Sequence, residues 1–163
     1  MSTILVGTDG SATSEAAIRV ALDLAQANGD DVLFVTAWRE LRGDFGLPIA
    51  TIFPELVEVE REWAQTTLAA AAAEAEAAGV SATTLRRHGD ATDQLCKVAR
   101  ERQPRLIVVG SRGWGPVDGV LFGSVSSGVL RHAPCPVLVV PATGEPEEPA
   151  LAGAAAGASA GKE

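Results

Sequence analysis

Basic residues are scarce in this 163-residue chain: 13 Lys and Arg stand against 21 Asp and Glu, giving a net charge of −8 and an isoelectric point near 4.8. Affinity for a nucleic-acid backbone is built from clustered cations, so the composition argues against a general nucleic-acid binder. Part of the acidity is local, since Glu145, Glu147, Glu148 and Glu163 against Lys162 put a net −3 in the tail. Cysteine is scarcer still. Cys96 and Cys135 form no C-x-x-C pair and have no neighbouring His at metal-ligand spacing, which argues against a disulfide framework or zinc site and predicts two buried free thiols. No apolar run approaches the length of a membrane span. The first residues move at once into a strand pattern, Thr3-Ile4-Leu5-Val6, without the charged-then-apolar layout of a signal peptide. The expectation is a cytoplasmic protein with no membrane or nucleic-acid partner.

Two common nucleotide motifs are missing as well. A Walker A loop requires G-x-x-x-x-G-K-[ST], yet the glycine-rich segment after Val109 has Arg112 as its only cation before the next helix pattern. A dinucleotide fingerprint starting at Gly113-Trp114-Gly115 fails because its third glycine position falls on Asp118 and the motif follows a late strand. A P-loop NTPase and an NAD or FAD enzyme are both disfavoured.

With 47% hydrophobic residues, the chain can build one domain with a substantial core. Strand-like runs at about 3–8, 31–37, 82–88, 105–110 and 136–140 alternate with helical patterns at about 13–28, 54–78, 91–102 and 124–132. The first helix pattern places Ala16, Val20, Leu24 and Ala27 on one face, with Gly29 as C-terminal cap. In the second, Pro54 stands in the first turn and Leu56, Val59 and Trp63 share a side. Asp90 caps the third, Leu95, Val98 and Ala99 point inward, and Pro104 stops it. Apolar strands alternating with helices predict a doubly wound α/β fold, a mostly parallel five-stranded sheet covered on both faces. The common orders are 2-1-3-4-5 and 3-2-1-4-5; we adopt the second, which makes strands one and four neighbours at the crevice where such folds bind ligands. Two segments would meet there: Thr8-Asp9-Gly10-Ser11 and the loop beginning Gly110-Ser111. Residues 39–53 read as a lid, a binding loop or a solvated excursion. Residues 142–163, poor in bulky apolar side chains, read as a disordered tail outside the domain at 1–141.

The chemistry concentrates between the apolar runs Leu106-Ile107-Val108-Val109 and Val137-Leu138-Val139-Val140, in Gly110-Ser111-Arg112-Gly113, nine residues, then Gly123-Ser124-Val125-Ser126. Glycines after a strand let backbone amides approach a ligand, and a Ser-rich segment opening a helix offers unpaired N–H groups at the positive dipole end. Phosphate recognition needs both. An Asp facing a polyphosphate is unfavourable unless a divalent cation lies between them, which makes Asp9 a candidate metal ligand; its alternative is a turn-forming residue that caps the first helix. Arg112 reads as solvated and Trp114 as a packing residue. His88 and His132 lack a placed Ser or Asp partner, so no catalytic triad and no general base is assigned.

The G-x2-G-x9-G-S spacing resembles the nucleotide-binding signature of the universal stress protein family. Ile4-Leu5-Val6-Gly7-Thr8-Asp9-Gly10-Ser11 looks like that family's first strand and acidic turn, His88-Gly89-Asp90 like its third-strand exit, and Ala133-Pro134-Cys135-Pro136 with the following valines like its closing strand. The resemblance covers residues 1–141. It implies an ATP site in which Asp9, flanked by Thr8 and Gly10, lies by the ribose or a phosphate-bound Mg²⁺ or Mn²⁺, while Thr36 and Ala37 flank adenine. By the same resemblance Gly110, Ser111, Gly113, Gly123, Ser124, Val125 and Ser126 cradle ribose and phosphates. This chain has Val35-Thr36 where the family usually has a His-Val pair. A homodimer through antiparallel pairing of Val137–Val140 is also implied. The resulting expectation is a nucleotide-occupancy sensor or regulator in stress response, with slow or absent hydrolysis. Its alternatives are an adenylating enzyme of the ATP-pyrophosphatase type, in which the phosphate loop would usually follow strand one, and an interaction module that binds no nucleotide.

Overall fold

The computed structural model describes residues 1–38, 54–112 and 122–141, apart from the side chains of 54–57. The loop at 39–53, Gly113 and Trp114, and the tail at 142–163 lie outside the described residues. Nine elements follow in order: β1 (Thr3–Gly7), α1 (Ala12–Asn28), β2 (Asp31–Trp38), α2 (Pro54–Ala77), β3 (Ala82–His88), α3 (Ala91–Arg102), β4 (Leu106–Gly110), α4 (Ser124–His132) and β5 (Val137–Val140). The sheet is parallel throughout, in the order β3-β2-β1-β4-β5. Gly7 stands level with Val35 on one side and Val109 on the other, so β1 and β4 end side by side.

Period-two alternation divides the strands between two cores. Ile4, Val6, Val32, Phe34, Val108 and Val140 face α1 and α2, whereas Leu5, Leu33, Val35, Ile107 and Val109 face α3 and α4. Burial on both sides is why these strands read as continuous apolar runs. Helix bounds follow local signals. Gly29, in the left-handed region at φ 68°, closes α1 by donating its N–H to Ala25 O. Asp90 accepts from the N–H groups of Thr92 and Asp93 to open α3, which ends at Gln103 in the left-handed region, just before Pro104.

Two helix faces differ from the sequence expectation. In α1 the expected face is met in part: Ala16 is in the core and Val20 and Leu24 pack partly buried against it, but Ala27 is exposed, and Ala17, Ile18, Ala21, Leu22 and Ala25 are the other buried apolar residues. Alternating rows of alanine leave the apolar pattern with two candidate faces, and packing on the sheet decides between them. In α2 the buried face is Ala64, Leu68, Ala71 and Ala75, while Val59 and Trp63 are exposed. Cys96 is buried and Cys135 only partly so. Burial pushes both thiols above their ordinary value.

Candidate functional site

Strands β1 and β4 deliver two turns to one end of the sheet. After β1, the Asp9 carboxylate accepts from the Ser11 N–H at 3.0 Å and the Ser11 hydroxyl at 2.5 Å, folding the chain into an Asx turn, while Gly10 takes φ +73°. The helix cap is Ser11 rather than Asp9: its Oγ accepts from the Ser14 N–H at 3.3 Å. Asp9 therefore holds the residue that holds the helix. Behind this turn the hydroxyls interlock, with Thr8 Oγ1 donating to Ser14 Oγ (3.2 Å), Ser14 Oγ to Ser11 O (2.9 Å) and Thr36 Oγ1 to Thr8 O (2.9 Å).

The second turn rests directly on the first. A Cβ at Gly110 would lie 2.6 Å from Thr13 Oγ1, 2.7 Å from Thr13 C and 2.9 Å from Ser14 N, so only glycine lets β4 end against the start of α1. Thr13 Oγ1 also donates to Arg112 O. From there Ser111 N donates to Val140 O at 2.7 Å, and Ser111 O accepts from both Gly123 N at 2.7 Å and Ser126 Oγ at 2.9 Å. One carbonyl thus pins the start of α4 to the end of β4.

The two helix starts differ in how their first N–H groups are satisfied. Gly123 is the N-cap of α4 and, among the described residues, no side chain caps it; no acidic residue occupies its first turn. The first intrahelical bond of α4 runs from Ser127 N to Gly123 O, so the amides of Ser124, Val125 and Ser126 precede it and point out of the helix end. Three outward amides at a positive dipole end suit an anion.

Among the residues singled out from sequence, Thr8, Asp9, Gly10, Gly110, Ser111, Gly123, Ser124, Val125 and Ser126 come together at this end of the sheet; Gly113 lies outside the described residues. Two hydroxyls have internal partners instead of facing the crevice. Ser126 is buried with its Oγ on Ser111 O, and Thr36 is fully buried with its Oγ1 on Thr8 O; Ala37 is half-buried on β2. Thr13 and Ser14 went unnoticed in the sequence. Their signal was a Thr-Ser pair just inside a helix start, where short polar side chains reach neighbouring backbone.

The comparisons agree with this geometry. The universal stress protein family matches residues 1–141. A universal stress protein of Thermus aquaticus is 35% identical over 138 residues, covering 85% of this chain and 97% of its own. The UspA structure from Lactobacillus plantarum shares the fold with a TM-score of 0.74 at 24% identity, over 85% of this chain and 97% of its own. A universal stress protein solved in complex with cAMP superposes with a TM-score of 0.67 at 29% identity, over 87% of this chain and 98% of its own. With the family matched across both turns and every strand, this chain belongs to the universal stress protein family.

Proposed function

We propose that this protein binds an adenine nucleotide, ATP with Mg²⁺ or Mn²⁺, in the crevice between the ends of β1 and β4, and acts as a nucleotide-occupancy regulator in stress response. The observation that carries the reading is the start of α4, whose outward amides meet no side-chain cap among the described residues and which is tied through Ser111 O to the exit of β4, the strand next to β1 and its Asp9 turn. Phosphate oxygens would take the amides of Ser124, Val125 and Ser126, with the exposed Ser124 hydroxyl beside them. Asp9 adds a carboxylate at the same crevice, oriented by Ser11. Carboxylate and polyphosphate repel unless a divalent cation joins them, and Mg²⁺ binds through one carboxylate plus phosphate oxygens. The donor set therefore fits a metal–nucleotide pair. The cAMP complex of a relative with 29% identity supports an adenine nucleotide as the class of ligand.

The test is to denature the purified protein, identify any released nucleotide by chromatography, and titrate nucleotide-free protein with Mg-ATP by calorimetry. Adenine nucleotide in the wild type, lost in Asp9→Ala and Gly113→Ala, is the expected result. No retained nucleotide and no heat would end the proposal. Sustained multiple-turnover hydrolysis would replace occupancy sensing with catalysis.

The reading extends to a cytoplasmic homodimer paired through β5. Pro136 O and Val140 O accept from β4, so by alternation along a parallel strand Val137 and Val139 direct their backbone groups away from it. This apolar edge offers a ladder to a second copy. Proline at 139 removes an outward donor and spares the bonds to β4. Val139→Pro is expected to sediment as a folded monomer; an unchanged dimer would refute the interface.

A further inference from the structure

Aromatic side chains are few, and their placement is uneven. The chain has three Trp, four Phe and no Tyr. Of those described, Phe34 alone belongs to an apolar core; Trp38, Trp63 and Phe122 all stand at the end of the sheet that carries the crevice. Phe122 is 43% exposed and precedes the N-cap of α4. A core built from Val, Leu, Ile and Ala has no aromatic shortage to explain, so the rim aromatics call for a separate account.

Trp38 is the last residue of β2 and stands level with His88, the last of β3. Their rings meet edge to face, with centroids 4.5 Å apart and planes at 67°. That arrangement leaves at least one indole face uncovered by the imidazole. Gly89 N donates to Trp38 O at 2.7 Å, fixing the backbone beneath it. Because Val35 is level with Gly7, Trp38 rises three residues, about 10 Å, past the end of β1. It alternates with Phe34 and Thr36 toward the side of the sheet covered by α1 and α2. On that same side Thr67 of α2 lies 3.2 Å from where a Gly10 Cβ would be. Trp63 is one turn earlier on the stripe of Thr67, about 6 Å further toward the helix start. Two half-exposed indoles thus flank the Asp9 turn on the side away from α4. Laterally, strand β2 lies two strands, about 10 Å, from β4.

We infer that Trp38, held by His88, is the residue on which the nucleobase stacks, with Trp63 bordering the same subsite. This rests on the nucleotide reading above and assigns the base a recognition surface made of π faces rather than hydrogen-bonding groups. Stacking on an indole is tolerant of base identity and depends on the base being present.

The experiment compares Mg-ATP with Mg-tripolyphosphate by calorimetry on nucleotide-free wild type, Trp38→Ala, Trp38→Phe and Trp63→Ala, with folding checked by circular dichroism. Trp38→Ala is expected to weaken ATP about tenfold or more and to leave tripolyphosphate unchanged, while Trp38→Phe retains most of the affinity. Trp63→Ala is expected to lose less than Trp38→Ala. A direct readout accompanies these: in a Trp63→Phe, Trp114→Phe background, ATP should quench the remaining indole emission and tripolyphosphate should not. Wild type that binds ATP while Trp38→Ala binds it equally overturns the stacking assignment alone. Wild type that binds neither ligand overturns the nucleotide reading and this one with it.

Discussion

Two helices, α1 and α4, begin at the same end of the sheet, both tied to the exit of β4, and satisfy their first N–H groups in different ways. Ser11 caps α1, Asp9 holds Ser11, and the hydroxyls of Thr8, Thr13, Ser14 and Thr36 bond to one another or to nearby carbonyls around it. Helix α4 starts on Gly123 with no side-chain cap among the described residues, and the buried Ser126 hydroxyl is turned back to Ser111 O. The polar side chains at α1 are used for structure and brace the exit of β4, through Gly110 and Arg112, while Ser111 O of that same exit holds the start of α4. A rigid scaffold beside an open donor set is what a preorganised anion site requires.

Disturbing the contact between the exit of β4 and the start of α1 is expected to have the largest effect. Gly110→Ala places a methyl group within 3 Å of backbone atoms of Thr13 and Ser14, and a loss of about 3 kcal/mol in urea denaturation is expected, with nucleotide affinity lost too. A stability within about 0.5 kcal/mol of wild type would show that the packing between β4 and α1 is slack. Next comes making α4 resemble α1. Gly123 has φ −71° and ψ 171°, a conformation open to any residue, and Asp is a good N-cap. Gly123→Asp should raise the melting temperature slightly, by the few tenths of a kcal/mol separating Gly from Asp at a cap, and lower ATP affinity by about a hundredfold, since the new carboxylate occupies the amides. Unaltered affinity would dissociate the α4 terminus from nucleotide binding. The converse change, Ser11→Ala, removes the cap of α1 and should cost about 1 kcal/mol in chemical denaturation.

The smallest effect concerns the thiols packed behind α3 and α4. Burial raises Cys96 and Cys135 in the folded protein, so the folded state keeps protons that the unfolded chain gives up. Their contribution is complete below the unfolded thiol pKa of about 8.5 and declines as pH rises through the folded values. With no Tyr in the chain, few other groups titrate in that window. The urea midpoint should fall between pH 8 and 10, and fall less in Cys96→Ala; parallel curves would assign the decline to other groups.

The sequence carried most of the fold and part of the site. Helix limits were legible because their signals are local: Gly29 and Asp90 act within four residues of themselves. Which face of α1 and α2 is buried was not legible, because alanine is compatible with either side until a sheet chooses. In the candidate site, the glycine spacing did not separate Gly110, whose Cβ position is filled by Thr13 and Ser14, from Gly123, which is the N-cap of α4. The family resemblance put Thr36 and Ser126 among the ligand-contacting positions. Their partners, 28 and 15 residues away, give them structural work.

Sequence alone determined the order of elements, the parallel doubly wound sheet and the presence of a glycine at the exit of the fourth strand. These depend on periodicity and capping, interactions that reach about four residues along the chain. Tertiary structure decided which polar groups remain available. That depends on bonds such as the one from Thr13 to Arg112, across 99 positions, and a hydroxyl has only one proton to give.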